Sequence, residues 1–323
     1  MKKIALALLM TSLCIGTSYA DQINFPTKAV NLVVPFPPGG DMDPIGRKLA
    51  EKLQERWGEA VVVENRPGAN GIVGMNYVLQ KKPDGHTIIL CSIGNLSINP
   101  FLYSDIAYDV EKDIAPISLV AKTPLVFVVS NGVPADNVQE FVELAQSKPE
   151  SLSVASAGNG NITHLAAVEF QNKSDTQLLH IPYNGGGPAI LDLLAERVDI
   201  YFNALPSALT YLRKEGQAKP LAVTSAKRAD ALPDVPTLQE LGYEDTDINS
   251  WYGVCASKGT PTEIINELNK GIVDAIENSD LNDFLVQAGT IPEPTTPEGF
   301  GGLIKNESKR WSKVIEEQNI QIN

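Results

Sequence analysis

Asn31-Leu32-Val33-Val34-Pro35-Phe36-Pro37-Pro38-Gly39-Gly40-Asp41-Met42-Asp43-Pro44-Ile45 carries three signals in one short stretch. The apolar run that follows Asn31 predicts a buried strand. Proline and glycine then break the chain. From Asp43 to Trp57 the residues Ile45, Leu49, Leu53 and Trp57 recur at every fourth position, which is one face of a helix. Asp43 is the expected N-cap, Pro44 suits the first helical position, and Gly58 ends the helix.

The same strand, turn and helix unit recurs outward from there. Ala60 to Val63, Thr87 to Cys91, Leu125 to Val129, Leu152 to Ala155, Leu178 to Ile181, Asp199 to Phe202, Leu221 to Thr224 and Trp251 to Cys255 read as strands. One helix is predicted after Gly71, closed by Pro83-Asp84-Gly85, and others over Asp136 to Gln146, Asn161 to Gln171 and Pro188 to Glu196. Thr260-Pro261-Thr262-Glu263 predicts a capping box, and Thr296-Pro297-Glu298 a further helix start. Such alternation builds α/β domains, with parallel sheets covered by helices on both faces. No low-complexity or charged linker interrupts it. The chain is therefore expected to pass between two domains on strands, near residues 118–127 and 219–226.

The N-terminus reads as a leader. Lys2 and Lys3 precede the apolar stretches Ile4 to Met10 and Leu13 to Ile15, and Ser18-Tyr19-Ala20 has the small-x-small pattern of a signal-peptidase site. The apolar run is too short to span a membrane. Cys14 follows the large residue Leu13, unlike a lipid-anchoring site, so the mature chain is expected to begin at Asp21 in the periplasm. The full chain has a net charge of −13, and loss of the leader leaves 24 Lys and Arg against 39 Asp and Glu. That balance excludes nucleic acid and anionic membrane surfaces as partners. Any anionic ligand must be held by local groups.

Two glycine-rich loops supply such groups. Pro35-Phe36-Pro37-Pro38-Gly39-Gly40 leads from a strand to the helix at Asp43, and Tyr183-Asn184-Gly185-Gly186-Gly187 leads to the helix at Pro188. Glycine lets the backbone approach a ligand, and the unpaired N–H groups of a helix start favour an anion. Ser156-Ala157-Gly158-Asn159-Gly160-Asn161 is a third loop of this kind, with hydroxyl and amide groups suited to a carboxylate. In open α/β sheets the carboxyl ends of the strands are where ligands bind.

Enzyme readings find less support. His86, His164 and His180 are scattered without metal-ligand spacing and read as structural hydrogen-bonding residues, and Gly68, Gly71 and Gly74 do not have dinucleotide-loop spacing. Asp41 and Asp43 are not followed by the longer pattern of a calcium loop. After the leader only Cys91 and Cys255 remain; buried free thiols are the expectation, with a bridge as the alternative.

The stretches Val34-Pro35-Phe36, Gly39-Gly40-Asp41-Met42-Asp43, Glu64-Asn65-Arg66-Pro67-Gly68-Ala69, Lys82-Pro83-Asp84-Gly85, Ser156-Ala157-Gly158, His164-Leu165-Ala166, His180-Ile181-Pro182-Tyr183, Pro233-Asp234-Val235-Pro236-Thr237 and Trp251-Tyr252-Gly253 stand in a telling order. Over nearly all of its mature length the chain resembles the solute-binding proteins of tripartite tricarboxylate transporters, the Bug or TctC family. The resemblance implies a two-domain Venus-flytrap fold, type II-like, with residues 21–122 and 225–323 in one domain and 123–224 in the other. It implies no catalysis, no cofactor and no metal, and a monomer that takes a small organic acid to the large and small permease subunits. A protein that signals its liganded state to a membrane sensor is the alternative, and a periplasmic enzyme a more remote one. Carried over by position, the ligand site is Phe36, Pro37, Pro38, Gly39, Gly40 and Asp43 from the first loop. Tyr183, Asn184, Gly185, Gly186, Gly187 and Pro188 come from the second, with Ser156, Gly158, Asn159, Gly160 and Asn203 completing the cleft.

Overall fold

The computed structural model describes residues 24–39, 42–214 and 216–320. The expected leader with its cut before Asp21, and the site residue Gly40, lie outside these residues. The strands are β1 (Val30–Val34), β2 (Val61–Asn65), β3 (Thr87–Ser92), β4 (Ile114–Val129), β5 (Ser153–Ser156), β6 (Leu179–Pro182), β7 (Ile200–Ala204), β8 (Lys219–Val223), β9 (Asn249–Ser257) and β10 (Ile291–Pro292). The helices are α1 (Met42–Trp57), α2 (Ile72–Leu79), α3 (Asn99–Leu102), α4 (Val110–Asp113), α5 (Val138–Ser147), α6 (Ile162–Ser174), α7 (Gly186–Leu194), α8 (Leu205–Leu212), α9 (Thr262–Glu277), α10 (Leu281–Gln287) and α11 (Pro297–Glu317).

Two lobes share one long strand. In the first lobe the order is β2-β1-β3-β9-β4, with β10 beside β4. In the second it is β8-β4-β7-β5-β6. Strand β4 pairs with β9 from Ile114 through Pro124, and with β7 and β8 from Leu125 or Val126 through Val129. The return passage is pinned at the same level. The Leu125 N–H donates to Thr224 Oγ1 (2.9 Å), the Thr224 N–H to Leu125 O (2.9 Å), and the Ile248 N–H to Thr224 O (3.1 Å).

The expectation of purely parallel sheets is corrected. Pairings β1–β2, β1–β3, β5–β6 and β5–β7 are parallel, whereas β9 is antiparallel to both its neighbours and β4 is antiparallel to β7 and β8. The physical reason is the connectivity. Strands that start a strand–helix unit run parallel, while those that carry the chain between lobes arrive from the other end.

The period-four face of α1 behaves as its spacing dictates. Ile45, Leu49 and Leu53 are buried against Leu32, Ile88, Leu90 and Val254 of the sheet and Leu268 and Ile272 of α9. Each such side chain contributes about 1.5–3 kcal/mol through burial. The opposite face of this sheet packs on α11 through Phe300 and Trp311, with Trp251 edge-on to Phe300. In the second lobe Phe127 meets Phe141, Phe170 and Phe202 at centroid distances of 5.0, 4.8 and 4.8 Å.

Two helix starts differ in detail. Thr296 caps α11, its hydroxyl accepting the Gly299 N–H at 3.1 Å. The capping box at Thr260 does not form, because the Thr260 hydroxyl donates instead to Ser257 O (2.8 Å) and the helix starts at Thr262.

Candidate functional site

Between the lobes lies a cleft of about 580 Å³. Its walls are the turns that leave the carboxyl ends of β1, β2, β3, β5, β6 and β7, with side chains of β4 and β9 between them. The first lobe supplies Phe36, Pro37 and Met42, then Asn70, then Ser92, Ile93 and Gly94, with Tyr103, Ser250 and Tyr252 beside them. From the second come Leu125, Ala157, Gly158, Asn159, Asn161, Thr163, Tyr183, Asn184, Gly185, Gly186, Tyr201, Asn203 and Ser207. None of the described lining residues carries a charge. A larger hollow of about 760 Å³ opens on the outer surface by α3, α4 and α11, but it gathers no strand-to-helix turns from the second lobe.

Of the residues expected from the sequence, Phe36, Pro37, Gly158, Asn159, Tyr183, Asn184, Gly185, Gly186 and Asn203 meet in this cleft. The other described ones stand behind or beside it. Asp43 is buried in the first turn of α1, where it accepts the Gly39 N–H (3.0 Å), the Asn65 amide (2.9 Å) and Arg47 (3.1 Å). Burial pushes its carboxyl up, but the hydrogen bonds from Arg47, Asn65 and Gly39 together outweigh that and hold it below the usual carboxylate value. It thus anchors the first loop from inside the helix, not as the N-cap the sequence implied. Pro38, Gly39, Gly187 and Pro188 are exposed outside the cleft lining.

Ser156 and Gly160 hold the third loop in place. The Ser156 hydroxyl lies 2.7 Å from His180 Nε2, and the Gly160 N–H donates to His164 Nδ1 at 3.1 Å. The two imidazoles stack with centroids 3.8 Å apart and planes 6° from parallel. That bond to Nδ1 requires a neutral His164, and burial followed by the neighbouring His180 lowers its pKa to about 3. Gly160 has φ +67°, and a Cβ there would overlap Leu102 of α3, so at this point the two lobes touch.

The second loop is partly committed to the fold. The Gly185 N–H donates to Ala157 O (3.1 Å), and the Tyr183 N–H to Ser156 O (3.0 Å). Helix α7 starts at Gly186, one turn-half earlier than Pro188, without a side-chain cap. Its first N–H groups, those of Gly186 in the cleft lining and Gly187 beside it, therefore have no intrahelical acceptor. The Tyr183 hydroxyl donates to Asp192 (2.8 Å), which also takes a bond from Arg197 (2.8 Å). Burial and then the Asp192 bond push that phenol up to about 12, so it stays protonated.

Sequence reasoning missed the turns after β2, β3 and β7. Asn70, at φ +49°, donates through its amide to Asn99 Oδ1 (2.7 Å), and its carbonyl accepts from Asn95 (2.9 Å) and Asn99 (3.0 Å). Asn95 Oδ1 in turn accepts both the N–H (3.1 Å) and the hydroxyl (3.0 Å) of Ser92. A Cβ at Gly71 would overlap the Asn95 amide, which explains the glycine. The one available signal was the Asn-Gly pair at 70–71 after a strand, with a second amide-rich turn at 92–99.

The chain is similar to known proteins over most of its length. A family model described as the tripartite tricarboxylate transporter family receptor matches residues 45–320. The UPF0065 protein of the tcbD-tcbE intergenic region in Pseudomonas sp. strain P51 is 37% identical over 98% of this chain and 94% of its own. Among solved structures, an R. palustris protein with adipate is 31% identical, covers 92% of this chain and 100% of its own, and has a TM-score of 0.84. MatC from Rhodopseudomonas palustris with bound malate is 29% identical, covers 90% of this chain and 100% of its own, with a TM-score of 0.79. The extent of these matches and the two-lobed cleft lead to one conclusion: the chain belongs to the tripartite tricarboxylate transporter receptor family.

Proposed function

We propose that this chain is exported, with the mature protein beginning at Asp21, and that it captures a small carboxylate in the interlobe cleft for delivery to the large and small permease subunits of a tripartite transporter. The observation that carries the reading is a cleft built from strand-to-helix turns of both lobes, lined by amides, hydroxyls and helix-start N–H groups. Such groups supply the positive ends of dipoles without a cation, and they are worth more in a site closed from water. Bound adipate and malate in the two R. palustris relatives support an acid of that size. The protein acts by binding alone, without turnover of its ligand. Phe36, Pro37, Gly158, Asn159, Tyr183, Asn184, Gly186 and Asn203 are the residues assigned to ligand contact. Residues 21–122 with 225–323 form one domain and 123–224 the other, a division supported by the change of β4 partners between Pro124 and Leu125.

The test is a thermal-shift screen of mono-, di- and tricarboxylates, with adipate and malate included, followed by calorimetry. A ligand at a hundredfold excess over its Kd stabilises the folded state by about 2.7 kcal/mol, read as a rise of roughly 5–10 °C in Tm. The neutral diamide of the best acid is expected to give no shift. Equal binding of acid and amide would overturn the carboxylate reading, and product accumulating in proportion to protein would overturn the binding-only reading.

A further inference from the structure

Cys91 on β3 and Cys255 on β9 lie on the same face of the first sheet, and both are wholly buried thiols. The register sets Cys91 opposite Gly253 and Cys255 opposite Ile89, so the two are diagonal neighbours across adjacent strands. Diagonal partners in a sheet usually stand about 7–8 Å apart at Cα. Here the sulfurs lean together, while the Phe300 ring fills the space left by the missing side chain of Gly253. Their Sγ atoms are 2.7 Å apart, roughly 0.7 Å longer than a covalent S–S bond. The Cys91 thiol also donates to Gly253 O at 3.1 Å. Both belong to an apolar cluster that includes Val33, Met75, Ile89 and Phe300.

We propose that Cys91 and Cys255 are an oxidation site, closed to a cross-strand disulfide in the exported protein by a disulfide donor of its compartment. One cysteine thiolate attacks the donor disulfide and expels one donor thiolate. The second cysteine thiolate then attacks the sulfur of the first and expels the other. The two cysteine thiols lose two protons and two electrons in all, and the donor leaves as a dithiol. The exchange belongs to the folding chain. Once β9 is seated, burial first and the adjacent Cys91 second push the Cys255 thiol well above its ordinary value, which removes the nucleophile. The bond fixes β9 to β3 directly beneath Ser92 and Tyr252, which face each other in the register and line the cleft. Only the source of the donor rests on the periplasmic reading above.

Protein taken from the periplasmic fraction is denatured without reductant, alkylated with iodoacetamide and digested with trypsin. The expected result is no alkylation at Cys91 or Cys255 and a linked pair of peptides, 82–112 with 229–258, that separates on reduction. Two alkylated cysteines in exported, leader-free protein overturn the proposal. A second arm refolds the reduced chain in a glutathione redox buffer and, separately, adds oxidised glutathione to reduced protein that is already folded. The link is expected in the first and at least tenfold more slowly in the second. A refolded chain without the link also overturns the proposal, and equal rates overturn its folding-stage timing. Protein found in the cytoplasm with its leader intact would fail the location reading, while the refolding arm would still decide the disulfide.

Discussion

The stacked imidazoles behind the third loop make the protein acid-sensitive in a definable window. His164 is largely enclosed and accepts the Gly160 N–H on Nδ1, and its pKa is lowered to about 3 from 6.5, by burial first and His180 second. Above pH 6.5 both folded and unfolded chains hold the ring neutral, and nothing changes. Below it the unfolded chain binds a proton that the folded chain refuses, so stability falls as pH falls, until the folded ring titrates near pH 3. The slope approaches about 1.4 kcal/mol per pH step, hence a loss of about 2 kcal/mol by pH 5 and about 4–5 kcal/mol near pH 3. His180 is shifted down by burial as well and contributes in the same direction. The perturbation is His164→Asn, whose Oδ1 can take the Gly160 N–H while the side chain cannot titrate. At pH 7.5 the variant is expected to be less stable than wild type, since it loses the ring stack. Urea unfolding of both proteins at pH 7.5, 6.5, 5.5 and 5.0 then reads the difference between them. That difference is expected to shrink by about 2 kcal/mol between pH 7.5 and 5.0. Carboxyls held low by hydrogen bonds, such as Asp43 and Glu64, are present in both proteins and cancel in the difference. Parallel stability profiles for the two proteins would refute a neutral, protonation-resistant His164.

Two further outcomes follow from named contacts. Gly186→Val puts a branched side chain at the start of α7, where even a Cβ would stand 3.2 Å from the Tyr201 hydroxyl. Calorimetry with the best acid is expected to show a ten- to hundredfold loss of affinity, in line with about 1.5–3 kcal/mol for a lost charge-assisted bond. Gly187→Ala adds a carbon with nothing within 4 Å and is expected to leave affinity within about twofold, the limit set by ordinary surface changes. Thr224→Val keeps the shape of the side chain but removes the hydroxyl that bonds Leu125 and Ile248 at the passage between lobes. Denaturant titration is expected to show a loss of about 1–3 kcal/mol, the cost of leaving buried backbone groups unpaired.

The local units were legible because their signals are local. The period of four in α1, the glycines ahead of α7 and the turn leading into Asn161 each depend on a few adjacent residues, and each marked a helix that the structure contains. Strand β4 was read only from Leu125 onward. Pro116 and Pro124 interrupt its first half; a register shift against β9 follows Pro116, whereas Pro124 pairs with Asn249 without one. The antiparallel seat of β9 was equally hidden, since direction is a property of the connection and not of the strand. In the site, Asn70 and Ser92 escaped notice because their orientation is fixed by Asn95 and Asn99. No short window of sequence contains both halves of that amide network. The capping box at Thr260 failed for the converse reason, because a competing acceptor, Ser257 O, lay just as near, three residues back in the chain.

The position of β9 also decides the order in which the molecule becomes safe from its neighbours. Every strand unique to the second lobe lies between β4 and β8, in one unbroken stretch of chain. That lobe can close as soon as β8 is made. In the first lobe, β3 and the front half of β4 remain apart until β9 is inserted between them. Through that interval each presents a row of unpaired backbone groups flanked by residues as apolar as Ile88, Leu90, Leu119 and Val120. Open edges of this composition are templates for wrong pairing between chains. The half of the protein that begins first is thus the half that finishes last, and it is there that a newly made chain is most exposed to aggregation.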